Sequence, residues 1–503
     1  MKSRIWPVTV SFFLIGVGLA SGQMPFDLPF VGFASLILVG FIWQRLSLNL
    51  VSAFKSGVAF GLGYFSVTFL WIFQPFLVEP SATGWMAPFA FVGLVTCLSF
   101  CWGLAFFFAE YLANKKSRLQ RLLMLWAILS LVEILRSDFV FNFPWGLISA
   151  IWINTSISQI LALVGPNGLT SLIILSAFLI SKPIFSSFLG LFLIAALSFI
   201  GSKHFEEPLS VQENQLLIRI IQPNIPQSKK WKSELAREFL ELHLSLSQSE
   251  NDEPIDLVVW PETAINYFFE LDTEIQKLIQ QNIDTPLILG LRRFEPGNKK
   301  LFNSAYFLNQ NGEVEFIYDK THLVPFGEYI PLGDFFSRFG LFGLATDGIT
   351  GFTPGLRKGV VRTLGIPPVS ISICYETIFS REIDYTSHGA KWLLQITNDA
   401  WFGSFNGPPQ HLTLARMRAI EQGLPLIRSA NTGISVVTDP FGKVLKKIDL
   451  GKRGYIDVAL PANISSTVYS RVGGSLINIY IILALVLTIL SLLFIKSRKL
   501  TRV

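Results

Sequence analysis

The sequence predicts an α-helical membrane domain of eight transmembrane helices, with a layered α/β domain inserted before the last of them. Three observations predict this. The 503-residue chain is 51% hydrophobic, has a mean hydropathy of +0.48, and carries only 15% charged residues, against roughly 25% in soluble proteins. The apolar excess falls in residues 5–201 and 474–495, while 205–470 has the mixed composition of a soluble domain. Within that insert, short β-branched runs alternate with helical stretches, the pattern of a layered α/β domain.

A helix needs roughly 20 apolar residues to cross a bilayer. Such stretches fall at 5–22, 26–44, 52–75, 85–111, 120–136, 166–181, 184–201 and 474–495. The first follows Lys2 and Arg4 as a signal peptide would, but more spans follow at once, so it reads as an anchor. Cations set the orientation. With the N-terminus in the cytoplasm, the inner loops hold Arg45, Lys55, Lys115, Lys116, Arg118, Arg121 and Lys182, and the tail adds Lys496, Arg498, Lys499 and Arg502; the outer ends hold only Arg136, Lys203 and Arg471. Residues 205–470 are therefore expected outside the cytoplasm. Counting the apolar 146–165 segment as a ninth span would invert this bias. It also carries Asn154, Thr155, Ser156 and Ser158, and reads as an interfacial or re-entrant piece on the outer side. The expected division is a membrane domain of seven spans over 1–204, a catalytic domain over 205–470, and a C-terminal helix with a basic cytoplasmic tail over 471–503.

In the insert, strands are expected at 215–222, 255–260, 286–293, 303–308, 369–374, 391–397, 425–430, 434–438 and 453–458. Helices are expected at 231–248, 270–281, 379–388 and 409–423. The net charge of +6 is accounted for largely by loops facing an anionic leaflet, and no basic stripe interleaved with aromatics appears in the soluble part. Nucleic-acid binding is excluded on that ground. Cys97 and Cys101 sit one helical turn apart in a span and read as packing residues. Cys374 is the one cysteine of the soluble domain, either buried and inert or retained for its reactivity.

Two strands end on reactive groups: Val258-Val259-Trp260-Pro261-Glu262 on a carboxylate and Ile371-Ser372-Ile373-Cys374 on a thiol. Chemistry commonly sits where strands of an α/β sheet give way to loops. Between them lies Tyr318-Asp319-Lys320. Together these make an acyl-transfer set: Cys374 as nucleophile, Glu262 as its base, and Lys320 as positive charge beside an oxyanion, with a backbone N–H after Cys374 helping. Structural alternatives stand beside each role, since Cys374 could be a small buried hydrophobe, Glu262 a helix cap, and Lys320 a solvated loop residue. No His-Glu-x-x-His spacing, Gly-x-Ser-x-Gly elbow or Walker-type loop is present, and no metal or organic cofactor is indicated.

The set Trp260-Pro261-Glu262, Lys320 and Cys374-Tyr375-Glu376 resembles the Glu-Lys-Cys triad of the nitrilase superfamily. The run from Lys320 to Pro331 (Lys-Thr-His-Leu-Val-Pro-Phe-Gly-Glu-Tyr-Ile-Pro) is narrower and resembles the apolipoprotein N-acyltransferase family. So do Gln222-Pro223-Asn224 followed by Trp231, and Thr397-Asn398-Asp399-Ala400-Trp401-Phe402-Gly403. In the membrane part, Gly57, Gly61, Gly63, Tyr64 and Trp71, then Glu133, Arg136 and Phe143-Pro144-Trp145, are similar to that family's patterns. The resemblance implies a nitrilase-like αββα sandwich on the periplasmic side of a bacterial inner membrane. It implies transfer of a fatty acyl chain from a phospholipid, through a Cys374 thioester, to the α-amino group of a diacylglyceryl-cysteine lipoprotein. Glu262 would be the base in both steps and Lys320 would hold the oxyanion. Glu328 would be a second carboxylate near the triad, and Trp231, Tyr375 and Glu376 would shape the pocket or bind substrate.

Residues Phe335, Phe336, Phe339, Leu341, Phe342 and Leu344 are too apolar for a solvated loop. With Phe339 and Phe342 foremost, they are expected as a lid in the membrane surface, the alternative being a loop packed on its own domain. Two other functions compete. A membrane-tethered nitrilase-type amidase would use the same triad with water as acceptor. A transporter or scaffold would do without the triad, but the spans carry few of the midplane charges that transport requires.

Overall fold

Backbone crossing lipid has to satisfy its own polar groups, which favours helices. The computed structural model describes residues 5–46, 48–113, 116–182, 185–209, 215–251, 253–269, 273–298, 300–329, 351–356 and 359–494. Five helices there are long and apolar enough to cross a membrane: Leu50–Thr68, Pro80–Leu112, Ser156–Ile180, Phe185–His204 and Gly474–Phe494. Val8–Ala20 and Pro29–Trp43 are apolar but shorter. The helix Arg118–Leu135 stands where a span is expected at 120–136, but Arg118, Arg121 and Glu133 keep it out of the five.

Two span boundaries differ from expectation for local reasons. The helix expected at 52–75 stops at Thr68, and Leu70–Leu77 continues as a 3-10 helix containing Pro75, which lacks the N–H a regular helix needs. The 146–165 segment forms two buried 3-10 turns, Ile148–Trp152 and Ser156–Ile160, and then enters the helix Leu161–Ile180. That helix is broken at Gly165 (φ 66°) followed by Pro166, so the next regular stretch starts near the expected residue 166.

The described chain divides into two compact units. One holds residues up to Phe73, Met86–Glu207 and the chain from Thr467; the other holds Gln74–Trp85 and Pro208–Ser466. In the first, glycine sets how closely helices approach. A Cβ on Gly57 would sit 2.9 Å from the Gly103 Cα, and one on Gly61 would sit 2.7 Å from the Ser99 Cα. The Gly57-x-x-x-Gly61 face therefore packs within the chain, against Ala87–Leu112.

The same unit buries an ion pair. Arg136 donates Nε to Glu133 Oε1 (3.0 Å) and Nη2 to Oε2 (2.8 Å), and its Nη1 reaches the carbonyls of Phe143 and Trp145, each at 3.0 Å. Trp102 Nε1 donates to Glu133 at 2.8 Å, and Tyr64 and Gln23 hold the carbonyls of Gly146 and Leu147. The network pins the irregular 141–147 stretch, whose carbonyls lack helical partners. Removing one member of a buried pair strands the other's charge, at a cost of about 3–5 kcal/mol. Glu133→Ala should accordingly lower the melting temperature of the detergent-solubilised protein sharply, whereas Glu110→Ala, at the partly exposed pair with Arg121, should shift it much less.

The second unit contains two sheets. In chain order the strands are β1 Leu217–Gln222, β2 Leu257–Val259, β3 Leu287–Glu295, β4 Lys300–Leu308, β5 Val314–Asp319, β6 Val369–Ile373, β7 Trp392–Thr397, β8 Leu426–Ala430, β9 Ser435–Thr438, β10 Val444–Ile448 and β11 Gly454–Ala459. They form a six-stranded sheet ordered β11-β1-β2-β3-β4-β5 and a five-stranded sheet ordered β10-β9-β8-β7-β6. The helices Ala236–Ser247 and Thr273–Asn282 cover the first, where Leu240, Leu244, Ile275 and Ile279 pack on Ile221, Val258 and Leu289. Ser380–Ser387 and Gly407–Gln422 cover the second, where Ile383, Ala415 and Ala419 pack on Leu393 and Leu426. The result is a four-layered αββα sandwich. Strand alternation turns Ile221 to a helix and Gln222 to the other sheet, where its Oε1 accepts the Ser435 N–H at 2.9 Å. Every strand expected from the sequence is present. The two unexpected strands, β5 and β10, are outermost in their sheets, and their exposed charged residues (Glu315; Lys446 and Lys447) hide the apolar signature, as edge strands commonly do.

Candidate active site

Glu262 and Lys320 meet just past the ends of β2 and β5, with Glu328 beside them. Glu262 follows β2 and is 6% exposed. Its Oε1 accepts Nδ2 of Asn303, from β4, at 2.7 Å, and its Oε2 accepts the backbone N–H of Asn398, just after β7, at 2.8 Å. Its main chain is fixed from behind: Ala264 N–H donates to the Gly290 carbonyl at 2.7 Å, and a Cβ on Gly290 would lie 2.6 Å from the Glu262 Cα. Only glycine lets β3 approach this closely.

Lys320 follows β5 and is 1% exposed. Its Nζ donates to Glu328 Oε1 at 2.9 Å and lies 3.6 Å from Glu262 Oε1. Asn303 Nδ2 also reaches Glu328 Oε1, at 3.0 Å, so one amide bridges both carboxylates. Glu328 Oε2 caps the Val324 N–H at 2.8 Å. Burial works against the Lys320 charge, but Glu328 and Glu262 outweigh it and hold the ammonium above the usual lysine range. Lys320 is a fixed positive charge.

Cys374 begins the turn after β6 with φ 52°, a left-handed conformation that non-glycine residues rarely adopt and that clusters at functional sites. Burial and then Glu262 push its thiol well above the ordinary cysteine range, against the pull of Lys320. At rest it is therefore a protonated thiol.

The Glu376 carboxylate is bonded by several groups of the protein itself. It accepts the backbone N–H groups of Ile373 (2.7 Å), Thr321 (2.6 Å) and His322 (3.1 Å) and the Tyr318 hydroxyl (3.0 Å). It thus ties the edge of one sheet, with Lys320, to the edge of the other, with Cys374. Tyr375 is buried beside Phe379 and His322, with ring centroids at 5.0 and 5.9 Å. Trp231 is half-buried, with the Arg292 guanidinium 4.3 Å over its ring. Phe339 and Phe342, expected as a lid, lie outside the described residues, as do Ile330 and Pro331.

A second buried network, which sequence reasoning missed, holds the other side of Cys374. Gln395 Nε2 donates to the Cys374 carbonyl at 3.0 Å, and Arg428 Nη1 donates to Gln395 Oε1. Arg428 Nη2 meets Asp399 Oδ2 at 2.5 Å, and His411 Nδ1 lies 2.9 Å from Asp399 Oδ1. Burial holds His411 below its ordinary value. Its Nε2 also lies 3.2 Å from Gln395 Nε2. The pair faces the Cys374 carbonyl, 3.2 Å from Nε2, so it supports the turn. Asn398 and Asp399 were visible as part of a motif; Asn303, Gln395 and Arg428 carry no signal, because single polar residues inside strands look like solvent-facing positions.

Burial would raise the Asp399 carboxyl, but Arg428 and His411 outweigh it and hold it well below the usual aspartate range. A depressed carboxylate contributes stability that is fully present above the ordinary value of about 3.9 and is lost as pH falls through the folded value. Thermal melts across the acid range should show this loss below about pH 4. Asp399→Asn should melt lower at neutral pH and lose part of that acid dependence; an unchanged acid limb would contradict the assignment.

Comparison with known proteins covers both halves of the chain. Residues 217–469 match the carbon-nitrogen hydrolase family and residues 15–179 match the apolipoprotein N-acyltransferase N-terminal domain. An apolipoprotein N-acyltransferase from Rhodopseudomonas palustris is 33% identical over 472 residues, covering 87% of this chain and 86% of its own. One from Brucella suis is 32% identical, covering 98% and 97%. Among solved structures, a Nesterenkonia amidase from the nitrilase superfamily aligns with 50% of this chain and 94% of its own, at 18% identity and a TM-score of 0.38.

Proposed function

The chain belongs to the apolipoprotein N-acyltransferase family, and we propose on that premise that it moves a fatty acyl chain from a phospholipid to the α-amino group of a diacylglyceryl-cysteine lipoprotein, by way of a Cys374 thioester. The observation that supports this reading is a buried thiol on a left-handed turn, in a domain that also buries Lys320 between the carboxylates of Glu262 and Glu328. In the first step Glu262 takes the thiol proton as sulfur attacks the ester carbonyl. The oxyanion forms beside the Lys320 ammonium and the N–H after Cys374, and the proton passes from Glu262 to the departing lysophospholipid. In the second step the acceptor nitrogen attacks the thioester, and Glu262 carries a proton from nitrogen to sulfur. Glu328 keeps Lys320 in place, Glu376 aligns the two halves of the triad, and Trp231 and Tyr375 line the substrate space.

The proposed setting is a bacterial inner membrane crossed eight times, with seven spans in 1–204, the catalytic domain in 205–470 on the periplasmic side, and the last span and basic tail in 471–503. Both substrates are lipids, and exposing each CH₂ of an acyl chain to water costs about 0.8 kcal/mol. A site working on them gains from apolar cover, the role proposed for Phe339 and Phe342.

Intact-mass measurement of detergent-purified wild type and Cys374→Ala after incubation with phospholipid tests the reading. The expected result is a fatty-acyl adduct on wild type alone, discharged by a diacylated lipopeptide that gains an amide. Free fatty acid as the product, with no transfer to the amine, would instead favour a membrane-tethered amidase.

A further inference from the structure

Lys230 is a second buried amine at the site, and the mechanism above leaves it unused. It ends the short helix Gln227–Lys230, directly before Trp231, and is 2% exposed. Its Nζ donates to the main-chain carbonyl of Glu262 at 3.1 Å, and among the described residues it forms no ion pair with a carboxylate. Lys320 is its opposite, equally buried but held between two carboxylates. A buried ammonium without a counter-ion is unfavourable by several kcal/mol, so such a lysine sheds its proton readily.

The proton count of the proposed reaction calls for a group of this kind. Acyl transfer from ester to thiol is proton-neutral, since the thiol proton leaves with the alcohol. Amide formation is different: thioester plus R–NH₃⁺ gives amide, thiol and one free H⁺. Glu262 accounts for the proton that moves from nitrogen to sulfur. The other must leave the ammonium before attack, because a protonated amine has no lone pair, and an α-amino group of pKa about 7.7–8.0 is mostly protonated at neutral pH.

We propose that Lys230 is the second proton acceptor of the amide-forming step, taking one proton from the acceptor's α-ammonium and later passing it to solvent. The inference rests on the transferase reading. The neutral amine of Lys230 becomes an ammonium, the acceptor becomes a free amine, and the attack, with Glu262 as base, yields the amide and the Cys374 thiol. The electrostatics agree. Burial is the largest influence and lowers Lys230 to about 7; Glu262 and Cys374 oppose it, and Arg292 of β3 reinforces it. From the helix Ala236–Ser247, His243 also faces this charge, but burial lowers it to about 4, so it is neutral in the working range.

The test separates the half-reactions in the full-length, detergent-purified protein. Single-turnover rates of Cys374 acylation by phospholipid, and of discharge to a diacylated lipopeptide, are measured for wild type, Lys230→Met and Lys230→Arg between about pH 6 and pH 9. In both variants the ratio of discharge to acylation should fall by about five- to tenfold near pH 7, the most that freeing an amine of pKa about 7.7–8.0 can contribute there. It should recover as the acceptor amine deprotonates unaided at high pH. With hydroxylamine, already neutral near pH 7, the variants should keep the wild-type ratio. An unchanged ratio with the lipopeptide at every pH overturns the proposal. So does an equal loss of both half-reactions with either acceptor, which would make Lys230 only an anchor for the Glu262 backbone. A wild-type protein that forms no acyl adduct, or surrenders it only to water, overturns the transferase reading itself and is seen before any variant is compared.

Discussion

A lysine ammonium taken out of water has to find its counter-charge inside the protein, and Lys320 finds two. Glu328 holds it at 2.9 Å and Glu262 stands 3.6 Å away, with the Asn303 amide bridging the carboxylates. An isolated buried ion is unfavourable by several kcal/mol, and an ion pair offsets this only when its remaining lone pairs and protons are also bonded. That condition explains the surroundings. Glu262 takes a backbone N–H from Asn398, Glu328 takes one from Val324, and the Lys320 main chain is bonded on both sides, to Asn303 O and from Gly355 N. The charges are fixed before a substrate arrives, which is what stabilising a developing oxyanion requires.

Cys374 is held by different means. Its left-handed backbone is kept in place by Gln395 on its carbonyl and by Glu376 on the Ile373 N–H just before it. Glu376 reaches across to Thr321 and His322 as well, so the thiol and the ammonium come from the edges of two different sheets yet share one carboxylate as a fastener. The buried Asp399, His411 and Arg428 set stands behind Gln395 and carries no reacting atom in the proposed steps. Much of the charge in this domain therefore works on geometry, and only Glu262, Lys320 and Lys230 are assigned to moving or facing protons and developing charge.

The sequence made the central strands and the ends that carry Glu262 and Cys374 legible, because apolar alternation stops abruptly at a reactive residue in each. Lys320 was found as part of a motif, although β5, which delivers it, was not foreseen: an edge strand with Glu315 facing solvent lacks the burial that writes a periodic pattern. Asn303, Gln395 and Arg428 were invisible for the converse reason, since a lone polar residue in a strand gives no sign of which face it points to. In the membrane part, composition located the apolar segments but not their interruptions. Pro75 and the Gly165-Pro166 break end regular helix where hydropathy alone runs on, and the charges on Arg118–Leu135 leave it outside the five helices long and apolar enough to cross a membrane.

The central claim is that Cys374 rests as a thiol and reacts through Glu262, beside a charge on Lys320 that Glu328 maintains. The most direct measurement is the rate of Cys374 alkylation by a small neutral electrophile, followed against pH in wild type, Glu262→Gln and Glu328→Gln, with folding checked by thermal melting. The account predicts that wild type reacts at neutral pH with its base in place. Folded Glu262→Gln, which keeps the hydrogen-bonding shape but not the base, should react at least about a hundredfold more slowly, and Glu328→Gln should fall between them. Equal alkylation rates in wild type and Glu262→Gln would mean that the thiol ionises without that carboxylate, and would contradict the account.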